Sequence, residues 1–122
     1  MAKKPLTKNL HLYPGLVHLG GSYARKVNAY TDAGLEALRP LIEEAQARID
    51  EISPTIEDIG SCVLGAGVQV YYIAPRCRKV TTQIIATGGP QGNVGISRAC
   101  APAIEFLRAN GVECRYYDGV MD

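Results

Sequence analysis

Apolar residues recur at three- and four-residue steps in two stretches of the chain, and they alternate or cluster as β-branched and aromatic residues in four others. From residue 32 to 52, Leu35, Leu38, Leu41, Ile42, Ala45, Ile49 and Ile52 fall on one stripe of an amphipathic helix. Thr31 or Asp32 supplies a cap for its start, Glu44 and Arg48 make a favourable pair one turn apart, and Ser53-Pro54 stops it. Pro40 is the irregular position, because a proline inside a helix removes a backbone bond and kinks the axis. The second helix takes in Val94, Ile96, Cys100, Ala103, Ile104 and Leu107, with Asn93 or Ser97 as cap and Asn110-Gly111 as stop. Pro102 is awkward within it for the same reason.

Leu10, Leu12, Leu16, Val17 and Leu19 mark a first strand, interrupted at Pro14-Gly15 and closed by Gly20-Gly21. Residues 68–73 and 80–85 read as two further strands, joined as a hairpin by Pro75-Arg76-Cys77-Arg78-Lys79, and residues 112–117 as the last. The order β-α-β-β-α-β predicts an α+β fold in which an antiparallel sheet is covered by two helices. A chain of 122 residues with 47% hydrophobic content fills one core, not two, which predicts a basic flexible arm at 1–9 and a single domain at 10–122.

Charge changes this picture only when it is divided along the chain. Residues 32–58 hold eight acidic against two basic residues, a local balance of −6, while the remainder holds eleven basic against four acidic, or +7. That asymmetry steers an anionic ligand toward the basic part, although an acidic helix face also serves plain solubility. The arm lacks the apolar run and cleavage site of a signal peptide, and no segment approaches the roughly 18 to 20 apolar residues that span a bilayer. A cytoplasmic protein without a membrane partner is expected. Cys62, Cys77, Cys100 and Cys114 show neither zinc spacing nor a dense disulfide framework, so they are expected as reduced, mostly buried thiols with no metal site.

Among segments able to carry chemistry, the strongest is Thr87-Gly88-Gly89-Pro90-Gln91-Gly92-Asn93-Val94-Gly95-Ile96-Ser97-Arg98, a glycine-rich passage from strand to helix. Unpaired amides and the helix dipole at such a place hold an anion without any catalytic residue. The passage lacks a Gly-Lys-Ser/Thr ending and Gly-x-Gly-x-x-Gly spacing, and its glycines fit an ordinary turn as well. Gly65-Ala66-Gly67 precedes a strand and is the wrong context for a dinucleotide fingerprint. Arg25, after Gly20-Gly21, presents a guanidinium suited to a forked phosphate contact. The cations around Cys77 would lower its pKa, but no histidine stands near it in sequence, and His11 and His18 cannot be placed on a common face. Tyr71-Tyr72 and Tyr116-Tyr117 put an aromatic on each face of two strands, and alternation places Arg115 with Tyr117, opposite Tyr116. The modest net charge of +1 and the lack of an RNA-binding strand motif argue against nucleic acid.

The blocks Gly20-Gly-Ser-Tyr-Ala-Arg-Lys26, Thr87-Gly-Gly-Pro-Gln-Gly-Asn93 and Cys114-Arg-Tyr-Tyr-Asp-Gly119, on a chain of this size, resemble the phage anti-Thoeris sponge proteins. The resemblance implies sequestration of a cyclic ADP-ribose-type immune signal without cleavage, in pockets formed between protomers of a homo-oligomer. It suggests arginines and an aromatic around a pyrophosphate-linked adenosine. The residues expected to bind the ligand are Arg25, Gly88, Gly89, Gln91, Gly92, Asn93, Arg98, Arg108, Arg115 and Tyr117, with no cofactor and no catalytic residue. Two alternatives stay open: a small phosphodiesterase or glycohydrolase, for which Glu113 and Asp118 are the acids nearest the expected pocket, and a structural or protein-interaction domain.

Overall fold

The computed structural model describes residues 12–20, 23–76 and 79–121, with the strands before residue 27 described as backbone only. The predicted arm at 1–9, His11, Cys77 and Arg78 lie outside the described residues. The first strand, β1 (Leu12–Gly20), pairs antiparallel with β2 (Tyr23–Tyr30), whose register runs from Leu12 opposite Tyr30 to Gly20 opposite Tyr23. The second strand was not evident in the sequence pattern because Arg25, Lys26 and Asn28 dilute its apolar positions. Val27, Ala29 and Tyr30 are nevertheless buried, with Tyr30 in a different cluster from the first two.

The long amphipathic stripe forms two helices, α1 (Asp32–Ala37) and α2 (Arg39–Ile52), that meet at Leu38. Thr31 caps α1, its hydroxyl accepting from the Gly34 amide at 3.1 Å. Pro40 explains the break: it occupies the first turn of α2, where no backbone donor is needed, so the proline restarts a helix rather than kinking one. A short 3-10 turn, Ser53–Thr55, ends α2 at the predicted Ser53-Pro54.

The chain then forms β3 (Val63–Leu64), β4 (Gly67–Tyr72), β5 (Thr81–Ala86), α3 (Asn93–Ala109), β6 (Arg115–Tyr117) and β7 (Val120–Met121). β4 pairs antiparallel with β5 along one edge and with β6 along the other, where Gln69 lies opposite Arg115 and Gly67 opposite Tyr117. Beyond β6 on that edge, Tyr72 pairs with Tyr30 in parallel, and the Ile73 amide donates to the Tyr30 carbonyl at 2.9 Å. The fold is α+β, and its sheet is mixed through this one pairing instead of wholly antiparallel. A separate two-stranded ribbon joins β3 to β7, with Leu64 opposite Val120 and Val63 opposite Met121.

Alternation along β4 sends Val68 and Val70 toward the helices, where they meet Leu38, Ala45 and Ile49 from the first helical stripe and Ile96, Cys100, Ala103 and Leu107 from α3. Gln69 and Tyr71 occupy the other face, where Tyr71 packs with Val27, Ala29 and Val80. The stop at Asn110-Gly111 forms as expected: Gly111 takes φ +85°, and the Val112 amide donates back to Leu107 at 3.0 Å. Ile49 is fully buried and its side chain lies against Gly88. Truncating Ile49→Ala should therefore remove about 2–5 kcal/mol of stability, visible as a lower urea midpoint at an unchanged denaturant slope.

Candidate functional site

The glycine-rich passage is filled by the protein's own groups. The N-cap of α3 is Gly92, not Asn93 or Ser97, and its amide donates to the Asp58 carboxylate at 2.7 Å. The Asn93 amide donates to the Ser61 carbonyl at 2.9 Å and the Gly95 amide to Ile59 at 3.1 Å. A carboxylate thus sits where an external anion was expected, favoured by the positive end of the helix. Gly92 and Gly95 are required by this close approach. A Cβ on Gly92 would lie 2.2 Å from the Ile59 oxygen, and one on Gly95 would lie 2.3 Å from Pro90 Cγ and 2.7 Å from the Glu57 oxygen. The expectation that amides across 88–97 lie open to a ligand is overturned at Gly92, Asn93 and Gly95, because residues 57–61 occupy the space.

The remaining predicted positions of this passage have packing partners as well. A Cβ at Gly88 would meet Ile49, and one at Gly89 would meet Ala99, so both glycines let helices approach the chain after β5. The Thr87 peptide is held from both sides by one side chain: Gln46 Nε2 donates to the Thr87 carbonyl at 2.7 Å, and the Thr87 amide donates to Gln46 Oε1 at 3.1 Å. Gln91 is exposed and its Oε1 stands 3.6 Å from Cys62 Sγ. Asn93 bridges two segments, accepting from the Ser61 amide at 3.0 Å and donating to Asp118 at 3.0 Å, while its carbonyl accepts from the Tyr116 hydroxyl at 3.1 Å. Burial and the nearby Asp118 push the Tyr116 phenol up to about 12, so it remains a neutral donor.

The predicted arginines separate across β6. Arg98 is exposed on α3. Arg108, near the end of that helix, spends Nε and one terminal nitrogen on the Cys114 carbonyl at 3.1 and 3.0 Å, fastening α3 to the approach of β6. It also borders a cavity of about 260 Å³ with Ser97, Glu105 and Tyr116. Arg115 lies on the opposite face, as strand alternation requires, with Tyr116 packed toward α3. Its guanidinium carbon is 3.7 Å from the centroid of the Tyr71 ring, and it donates to Gln69 Oε1 at 3.3 Å. Tyr117, two residues on, is exposed on the same face. Arg25 is on β2 opposite Val17, and its side chain lies outside the described residues.

The residues that sequence reasoning missed are Gln69 and Asp58. Gln69 left one signal, a polar residue alone in an otherwise apolar strand, whereas the use of Asp58 depends on a contact 34 residues away. Of the cysteines, Cys100 and Cys114 are buried and Cys62 is exposed. Burial pushes the Cys100 thiol up to about 11 against the opposing pull of the Gly88 amide, and pushes Cys114 up against Arg108 and Arg115. Among the described residues no group of histidine, cysteine and carboxylate side chains is placed to hold a metal, and no helix is long and apolar enough to cross a membrane. Comparison with family models, with curated proteins and with solved structures gives no match.

Two expected outcomes follow from this geometry. Asp58→Ala should cost about 1–2 kcal/mol in a chemical denaturation measurement, since it strips the charged acceptor from the start of α3. In a Cys77→Ser background, a thiol reagent at mildly alkaline pH should modify Cys62 in the native protein and reach Cys100 and Cys114 only on unfolding, as counted by mass spectrometry.

Proposed function

We propose that the protein binds a small anionic nucleotide-type ligand on the face of β4 and β6 that points away from the helices, with Arg115 as its principal anchor. The observation that carries this reading is the Arg115 guanidinium, 3.7 Å above the Tyr71 ring and oriented by Gln69. Gln69 uses one of the five N–H donors of that group, and the aromatic ring fixes its plane, so a forked contact to phosphate needs little further ordering. Tyr117 beside it offers a half-open ring on which a base can stack.

This reading moves the anion from the α3 N-terminus, where Asp58 already supplies negative charge, to a side chain that keeps unused donors. In the resemblance to the anti-Thoeris sponges, the ligand is a cyclic ADP-ribose-type signal and binding serves sequestration. Affinity alone suffices for that role.

The test is to incubate the full chain with a cyclic ADP-ribose isomer, separate protein from free ligand by gel filtration, heat-denature it and identify the released molecule by mass spectrometry. Recovery of the intact isomer supports sequestration. A cleaved product would instead favour the enzyme alternative, and no retained ligand would remove the nucleotide reading. Arg115→Ala should weaken binding by about 1.5–3 kcal/mol in calorimetry, with thermal unfolding measured alongside to show that the variant is folded.

A further inference from the structure

A cavity of about 400 Å³ lies where the joint between α1 and α2 meets β5. Its helical wall is Asp32, Leu35, Glu36, Arg39 and Ile42, positions three and four residues apart that share one flank of the two helices despite the break at Leu38. Gln83, Ile84 and Ile85 form the strand wall. The volume falls in the range of small-molecule sites, roughly 300–1,000 Å³. None of these residues belongs to the Arg115 site, so occupancy here is independent of the ligand reading given above. Leu35, Ile42 and Ile85 are half-buried and pack on the main core from outside, and Ile84 is half-buried beside them. The apolar surface that they leave facing the cavity is available to a bound apolar body.

The charged groups of the lining differ in what they have left to offer. Glu36 and Arg39 are exposed at the rim and ion-paired with each other. Asp32 is half-buried, and its Oδ1 accepts from the Tyr72 hydroxyl at 2.5 Å. A neutral donor orients the carboxylate without cancelling its charge, and Oδ2 has no hydrogen-bond partner among the described residues. The Thr31 cap holds the turn that carries Asp32. With Glu36 and Arg39 neutral as a pair, the lining keeps one uncompensated negative charge, within the stretch 32–58 whose balance is −6. That field favours a cation over an anion.

We propose that this cavity binds a small primary ammonium with an apolar body, the ammonium donating to Asp32 and the body lying on Leu35, Ile42 and the two isoleucines of β5. An ammonium is all donor, three N–H groups and no acceptor, and the Gln83 carboxamide on the facing wall offers it a further acceptor besides Asp32. A carboxylate ligand finds one cation here, Arg39, and that guanidinium is already engaged by Glu36. Charge-assisted contact with Asp32 fixes the head of the ligand, and the covered apolar wall supplies the preference for a longer tail.

Proton–nitrogen correlation NMR of the full chain at neutral pH tests it, with hexylammonium, ethylammonium and hexanoate titrated in turn. Hexylammonium is expected to give saturable shifts in the amides of residues 32–42 and 83–85. Ethylammonium should bind at least about fivefold more weakly, because it covers less of the apolar wall, and hexanoate should leave those amides unmoved. Asp32→Asn keeps an acceptor for the Tyr72 hydroxyl but removes the charge, and should weaken hexylammonium binding by at least about fivefold with the spectrum of the free protein otherwise retained. Glu51→Gln, an exposed position near the far end of α2 and outside the cavity, should change nothing. Absence of saturable shifts, equal binding of hexanoate or ethylammonium, or an Asp32→Asn chain that binds as well as the wild type would overturn the proposal. So would binding that appears only once Lys3, Lys4 and Lys8 are replaced by serine, since the chain's own lysines would then be the occupant.

Discussion

The peptide groups of Gly67–Tyr72 are bonded along both edges, to β5 on one side and to β6 and then β2 on the other, and the remainder of the molecule is arranged around that strand. Val68 and Val70 are fully buried under the helices, and Gln69, on the opposite face, is only 9% exposed. A strand enclosed in this way can carry no isolated charge, since a buried ion without a partner costs several kcal/mol. The polar group that it does carry is answered by Arg115. The β1–β2 hairpin is joined to this centre through Tyr30, which pairs with Tyr72, is fully buried, and accepts the Glu113 amide on its hydroxyl at 2.9 Å. One tyrosine therefore ties the hairpin both to the central strand and to the segment entering β6.

The same economy of charge governs the start of α3. A helix with free N-terminal amides attracts negative charge, and the chain supplies it internally through Asp58 and the carbonyls of Ile59 and Ser61. Within the acidic surplus of residues 32–58, Asp58 has this task at α3 and Asp32 accepts from the Tyr72 hydroxyl on β4, while most of the others stay on the exposed side of α1 and α2. Arg115 stands on the opposite face of the sheet from α3, its guanidinium over the Tyr71 ring and bonded to Gln69.

The amphipathic helices were legible because periodicity records burial directly: Leu38, Ala45, Ile49, Cys100, Ala103 and Leu107 all lie in the core that their spacing predicts. The central strands were legible for a similar reason, and the alternation of Arg115, Tyr116 and Tyr117 gave their facing correctly. β2 escaped notice because its two faces are both mixed, and β3 and β7 because two-residue strands have no period to read. The glycine-rich passage shows the sharper limit. Gly92 and Gly95 are compatible with a bound anion and with a close-packed chain, and only the position of residues 57–61 decides between them.

The paired contact between Gln46 and Thr87 bears on how the sheet ends. A carboxamide presents a donor and an acceptor side by side, as a peptide bond does, so Gln46 stands in for the next strand just past β5 and answers both groups of one residue at once. Glutamate would supply only an acceptor there and lysine only donors. A helix side chain has become a stopper for lateral growth on that flank, which blunts one point from which an unintended fibre could extend.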